Sequence, residues 1–139
     1  MLTDFFLNTY AAIPAAVSRA SVARVVATYL ESFAAGDMAA RETLFADDCI
    51  IEEPVGTAPI YGKDDLVAFW KATADAGWKV RNELQRLIVH GNEAAVLFRS
   101  VLEVEGQGSV SLDVFETLVF DETGRISRLR AYNDATCLA

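Results

Sequence analysis

Apolar residues at Val22, Val25, Val26, Tyr29, Leu30 and Phe33 fall at offsets 0, 3, 4, 7, 8 and 11, one clean face of a helix. Ser18 or Ser21 supplies its N-cap. Ala34-Ala35-Gly36-Asp37 ends it, with Gly36 suited to a left-handed C-cap. Asp37 caps a short second helix over Met38 to Phe45, and Ala46-Asp47-Asp48 reads as a turn. A third helix runs from Lys63 to about Asp75, with Leu66, Phe69 and Trp70 on one side and Gly77 at its end. The remaining pattern has a strand period. Cys49-Ile50-Ile51 is a short apolar strand that ends in Glu52-Glu53-Pro54, and residues 54–62, with two prolines and two glycines, form a loop. After Gly77 come strands over 78–89, 94–105, 109–120 and 125–132. They are separated by His90-Gly91-Asn92-Glu93, Gly106-Gln107-Gly108 and Asp121-Glu122-Thr123-Gly124. Three helices with one strand among them, then a run of antiparallel strands, predict an α+β fold: a curved sheet with helices on one face, able to enclose an apolar cavity. Residues 1–17 read as an N-terminal extension with a helical turn before Pro14, and residues 18–139 as a single domain.

Composition sharpens this picture. The chain has 139 residues, 53% of them hydrophobic, and a mean hydropathy of +0.24, which calls for a roomy apolar cavity or a hydrophobic subunit interface. Twelve basic against 20 acidic residues leave a net charge of −8. That balance disfavours nucleic acid and anionic membrane surfaces, which need a basic patch. Cys49 and Cys137 have no metal-ligand spacing and read as thiols in a reducing cytoplasm; with His90 the lone histidine, no metal constellation is recognisable. The apolar N-terminus lacks a positive leading region and is interrupted by Asp4, Asn8 and Pro14, which disfavours a signal peptide. No apolar run is long enough to span a membrane.

Three polar groups sit on apolar elements. Tyr29 lies on the buried helical stripe, and a buried phenol seeks a partner. Alternation puts Cys49, Ile51 and Glu53 on one strand face and Ile50 and Glu52 on the other; if the first is the buried face, Glu53 is a carboxylate at the edge of an apolar interior and a candidate general base. The alternative is a solvated glutamate at a strand end. In the strand over 109–120, Ser111, Asp113, Phe115, Thr117 and Val119 share one face, and Leu112, Val114, Glu116, Leu118 and Phe120 the other. Aspartate is depleted in strand interiors, which singles out Asp113; its alternative is an ion pair with a neighbour such as Arg99. A carboxylate base together with a phenol and a protonated acid suits proton abstraction beside a carbonyl, the two donors stabilising the enolate oxygen. Phe33, Phe45, Trp70, Phe98 and Phe115 are the candidate apolar lining.

The residues that carry a family resemblance begin with Tyr29-Leu30, Ala35-Gly36-Asp37, Phe45-Ala46-Asp47-Asp48 and Ile51-Glu52-Glu53-Pro54-Val55-Gly56. They continue with Ile60-Tyr61-Gly62-Lys63, Ala68-Phe69-Trp70, Leu112-Asp113-Val114, the segment from Phe120 to Ile126, and Arg130-Ala131-Tyr132. From about Ala23 to Tyr132 the chain resembles the bacterial ketosteroid isomerases of the nuclear transport factor 2-like superfamily, a family in which a carboxylic acid is kept neutral to donate a hydrogen bond. The resemblance implies a cone: a strongly curved, mostly antiparallel sheet wrapped by three helices around an apolar pocket. It also implies no cofactor, a homodimer formed through the outer sheet face, and a small hydrophobic ketone, such as a steroid, as substrate. Tyr29 and Asp113 fall at the family's oxyanion-hole positions and Glu53 at its base position. Three departures accompany it. Glu53 stands where the family usually has Asp, Phe45 and Trp70 where some members have tyrosines, and Asn133 where some have a pocket-lining tryptophan. Other functions of the fold remain as alternatives: a polyketide cyclase, a hydrophobic-ligand binder without chemistry, or an epoxide hydrolase, which would want an Asp-Arg-Asp cluster. A dehydratase of this fold would want more histidine.

Overall fold

The computed structural model describes residues 1–139. In chain order the elements are α1 (Leu2–Ala11), α2 (Arg19–Ala35), α3 (Met38–Glu42), β1 (Phe45–Glu52), β2 (Ile60–Tyr61), α4 (Lys63–Asp75), β3 (Trp78–His90), β4 (Glu93–Val104), β5 (Gly108–Phe120) and β6 (Ile126–Tyr132), followed by a 3₁₀ turn at Ala135–Cys137. The strands form one curved sheet in the order β2-β1-β6-β5-β4-β3. Helix α2 packs against β3 and α4 against β1, so both cover the concave face, as the α+β reading requires. No helix is long and apolar enough to cross a membrane.

Local chemistry accounts for most boundaries. Ser18 caps α2 by accepting from the Ser21 N–H at 3.1 Å. Gly36 closes the helix at φ 65°, a left-handed conformation that costs a residue without Cβ little. Asp37 caps α3 by accepting from the Ala40 N–H. Helix α2 buries Val22, Val26, Tyr29 and Leu30 against a core that includes Phe45, Ile51, Leu66, Leu118, Ile126 and Leu129. Each such side chain contributes roughly 1.5–3 kcal/mol by leaving water.

Three segments differ from the sequence reading. Ala46-Asp47-Asp48 is not a turn; it lies within β1, which carries an irregularity between Phe45 and Ile50 while pairing in parallel with β6. A single parallel pair of strands far apart in sequence leaves no local signature. The loop after Pro54 contains β2, whose two residues pair with Ile50 and Ile51. The N-terminal segment is a ten-residue helix rather than a turn, with no buried residue of its own. Tyr10 meets the His90 ring edge-on at 5.4 Å, and the Ala16 N–H donates to Asn92 Oδ1, attaching the segment to the β3–β4 turn.

Candidate active site

Between the helices and the concave face of the sheet lies a cavity of about 630 Å³, a size suited to a small-molecule site. Its wall is a ladder of inward residues. Antiparallel register sets Asn82 opposite Ser100, Ser100 opposite Leu112, and Phe98 opposite Val114. All of these line the cavity, with Tyr29, Phe33, Glu53, Trp70, Glu116 and Asn133.

Strand alternation delivers Glu53 as expected. Cys49 and Ile51 are fully buried, and the next residue on their face, Glu53, lines the cavity. Glu52 points the other way and takes hydrogen bonds from Arg130 Nε at 2.9 Å and Arg128 Nη2 at 3.3 Å. These two bonds lower its pKa, that from Arg130 more. Glu53 has no cation beside it, and burial pushes its pKa up to about 7.

The second acid of the cavity is Glu116, not Asp113. Glu116 is buried, stands opposite Val96 on β4 and Ala131 on β6, and lines the cavity. Asp113 lies on the outer face, directly across from Arg99, whose Nε donates to Asp113 Oδ1 at 3.2 Å. Side chains on a strand alternate, so residues 113 and 116 must take opposite faces. The face packed on the helices is the apolar one, Leu112, Val114, Leu118 and Phe120, and Glu116 is its single acidic member. Phe115 shares the outer face with Asp113, is half exposed, and lines a separate shallow hollow beside Pro54 and Tyr132. The expectations for Asp113 and Phe115 as cavity residues are thereby corrected. Phe45 is also not a lining residue. It is wholly buried behind the cavity, meeting Tyr29 and Trp70 edge-on at 5.7 and 5.5 Å. Phe33, Trp70, Phe98 and Asn133 do line it.

Glu53 and Glu116 approach from strands on either side of β6, two strand spacings apart, or about 10 Å between backbones. The Val55 N–H donates to the Ala131 carbonyl at 2.8 Å, holding the chain after Glu53 against the same residue that Glu116 faces. Burial, and then the Glu53 charge, raise the Glu116 pKa well above the usual carboxylate range. The Tyr29 hydroxyl borders the same cavity. Its pKa is raised by burial, then by Glu116 and Glu53, with Arg41 opposing. Burial thus favours the neutral forms of Tyr29 and Glu116, while Glu53 has its pKa at about 7.

The alternation of β5 carried the signal that finds Glu116: an acid interrupting an otherwise apolar face. Arg41, Asn82 and Ser100 also line the cavity, and each sits on a helix turn or strand whose buried side the sequence pattern leaves open.

A curved sheet with helices over its concave face is the cone of the nuclear transport factor 2-like proteins, and here it encloses unpaired acids and a phenol. Residues 26–129 match the SnoaL-like domain model, and the chain belongs to that family. It is 34% identical over 113 residues to the steroid Delta-isomerase of Nocardioides simplex, covering 81% of this chain and 89% of that protein. Among solved structures it superposes on the Delta 5-3-ketosteroid isomerase of Mycobacterium sp. with a TM-score of 0.74, at 21% identity, over 86% of this chain and 97% of that one. An LEH-like epoxide hydrolase of M. tuberculosis superposes with a TM-score of 0.75 at 20% identity, over 85% of this chain and 86% of that one.

Proposed function

We propose that the protein is a cofactor-independent enzyme of the ketosteroid isomerase type, moving a carbon–carbon double bond into conjugation with a ketone on a hydrophobic, steroid-like substrate. The observation that carries this reading is that Glu53, Glu116 and Tyr29 border one cavity and neither acid has a cation beside it. Ionised Glu53 removes a proton from the carbon between ketone and alkene. The electron pair left behind delocalises onto the carbonyl oxygen, giving a dienolate. The Tyr29 and Glu116 hydroxyls donate to that oxygen as its charge develops. Glu53 then returns the proton to the far alkene carbon, so atoms and charge balance with no external reactant. The identity to a steroid Delta-isomerase supports this assignment. An Asp-Arg-Asp epoxide hydrolase centre finds no support in the one Asp–Arg ion pair, Arg99–Asp113, because it lies on the outer face. A homodimer through the outer sheet face is supported by Phe115 and Tyr132, which stand opposite each other there with about half their surfaces exposed. Phe115→Lys should yield monomer in light-scattering chromatography.

Growth of conjugated-enone absorbance from a 3-oxo-Δ5 steroid tests the activity. Glu53→Gln should lower turnover about 10²–10⁴-fold, the contribution usual for a positioned base. Turnover equal to wild type in that variant would rule out Glu53 as the base, and binding without any turnover in wild type would leave a ligand carrier.

A further inference from the structure

Arg41 lines the cavity from α3, and it is the sole cationic residue in the wall. It is 5% exposed. Its guanidinium carbon lies 3.5 Å from the centre of the Phe33 ring and 4.8 Å from that of Trp70. Nε donates to Ser32 Oγ at 2.8 Å, and that hydroxyl donates to the Tyr29 carbonyl at 2.6 Å. This chain fixes the head group but uses only one of the five N–H donors of a guanidinium. Neither Nη nitrogen has an acceptor within the protein, and no carboxylate lies within ion-pair distance. Stacking on aromatic rings offsets part of the cost of burying a charge, and the Nη donors, which are not sealed away from the cavity, can meet an anion there.

The cavity's two acids do not fill that role. Neither Glu53 nor Glu116 lies within ion-pair distance of Arg41. Asp37 is exposed and its carboxylate is engaged with the Ala40 N–H. The cavity thus holds, besides its two acids, one cationic group that neither of them pairs with, set against the Phe33 and Trp70 rings. We propose that Arg41 anchors an anionic oxygen group, a carboxylate or a sulfate, carried by the hydrophobic ligand of this cavity. The proposal rests on the cavity taking a hydrophobic ligand and deepens the isomerase reading: the substrate is a hydrophobic ketone that also bears a negative charge. Planar, forked donors in a low-dielectric wall suit such a group through paired charge-assisted hydrogen bonds.

The test uses two fluorescent probes that differ by one charge, 8-anilinonaphthalene-1-sulfonate and its uncharged parent N-phenyl-1-naphthylamine. Arg41→Gln keeps a donor for Ser32 but removes the charge. It should weaken the sulfonate about 10- to 100-fold, as loss of a charged hydrogen bond does, and leave the uncharged probe within about twofold. Arg41→Lys should recover most of the sulfonate affinity. In wild type, the sulfonate and not its parent should shift the Arg41 Nε–H resonance, a readout that needs no variant to fold. Equal weakening of both probes, or an unmoved Arg41 resonance, overturns the proposal. A keto-steroid carboxylate, its methyl ester and a keto-steroid sulfate then identify the natural anion and report turnover separately. Charge-selective binding without isomerisation would sink the isomerase reading and keep the anchor. Isomerisation indifferent to ligand charge would do the reverse.

Discussion

The sheet presents two faces, and each carries acids drawn from the same two strand regions. Glu52 and Glu53 are neighbours, and Asp113 and Glu116 are separated by two residues. On the outer face Glu52 meets Arg128 and Arg130, and Asp113 meets Arg99. On the inner face Glu53 and Glu116 line a cavity with apolar side chains and Tyr29, and the Glu53 charge acts on Glu116. The pKa of Glu52 is lowered, while that of Glu53 is raised to about 7 and that of Glu116 higher than the carboxylate range. Carboxyl groups a few residues apart in sequence thus form surface ion pairs or stand unpaired in a cavity with raised pKa values, depending on which side of one sheet they occupy. Burial without a counter-charge is the variable that separates them.

The sharpest break of this comparison is a matched pair of variants on β5. Glu116→Leu should lower kcat about 10²–10³-fold, the usual loss on removing one oxyanion donor, while a bound phenolic steroid keeps its site. Asp113→Leu, three positions away on the outer face, should leave kcat within about twofold in the same assay. If Asp113→Leu is the damaging change, the inner and outer roles are reversed and the site is wrongly assigned.

Next in size is the pH dependence of stability. Glu53 has its pKa raised from 4.5 to about 7, so the folded state binds its proton more tightly than the unfolded state. Its contribution therefore falls as pH rises from about 4.5 to about 7 and then levels off, by at most about 3 kcal/mol. Glu116, whose pKa is raised in the same direction by burial, adds a loss of the same sign. Urea midpoints at pH 5 and pH 8 should show wild type losing stability across this interval and Glu53→Gln losing markedly less. A wild type that gains stability over the same interval would contradict the inner-face assignment of Glu53. The same raised pKa predicts that kcat/KM falls as the pH drops below about 7, because the base must be ionised, with the two coupled acids titrating as a pair.

The smallest expected effect is on the outer face. Asp113→Asn removes one partner of an exposed ion pair with Arg99, and such pairs contribute roughly 0–1 kcal/mol. Its melting temperature should stay close to that of wild type and become closer still in high salt. A large loss would mean that this face is buried against a second copy of the chain.

Much of the fold was legible before any coordinates. The stripe from Val22 to Phe33, its Ser18 cap and Gly36 stop, the α4 helix and four long strands all follow from local rules that act within a few residues. The parallel pairing of β1 with β6 and the short β2 were not legible, because their partners are distant and their own length carries no period. Of the cavity residues, Tyr29 and Glu53 are marked by apolar neighbours on their own element, whereas the depletion of Asp in strands draws attention to Asp113 and away from Glu116.

Strand periodicity by itself determined that Asp113 and Glu116 occupy opposite faces, as it determined that Glu52 and Glu53 do. For the second pair the apolar residues Cys49, Ile50 and Ile51 fall on both faces, and the burial of Cys49 and Ile51 decides which is inward. Only the tertiary structure decided both pairs, and only it brought Arg41 to the same cavity as acids from β1 and β5. The physical reason is that alternation is a local steric property of the backbone, whereas inward and outward are defined by what packs on a face. Helix α2 covers the side of the sheet that holds Glu116, and Arg99 on β4 waits on the other.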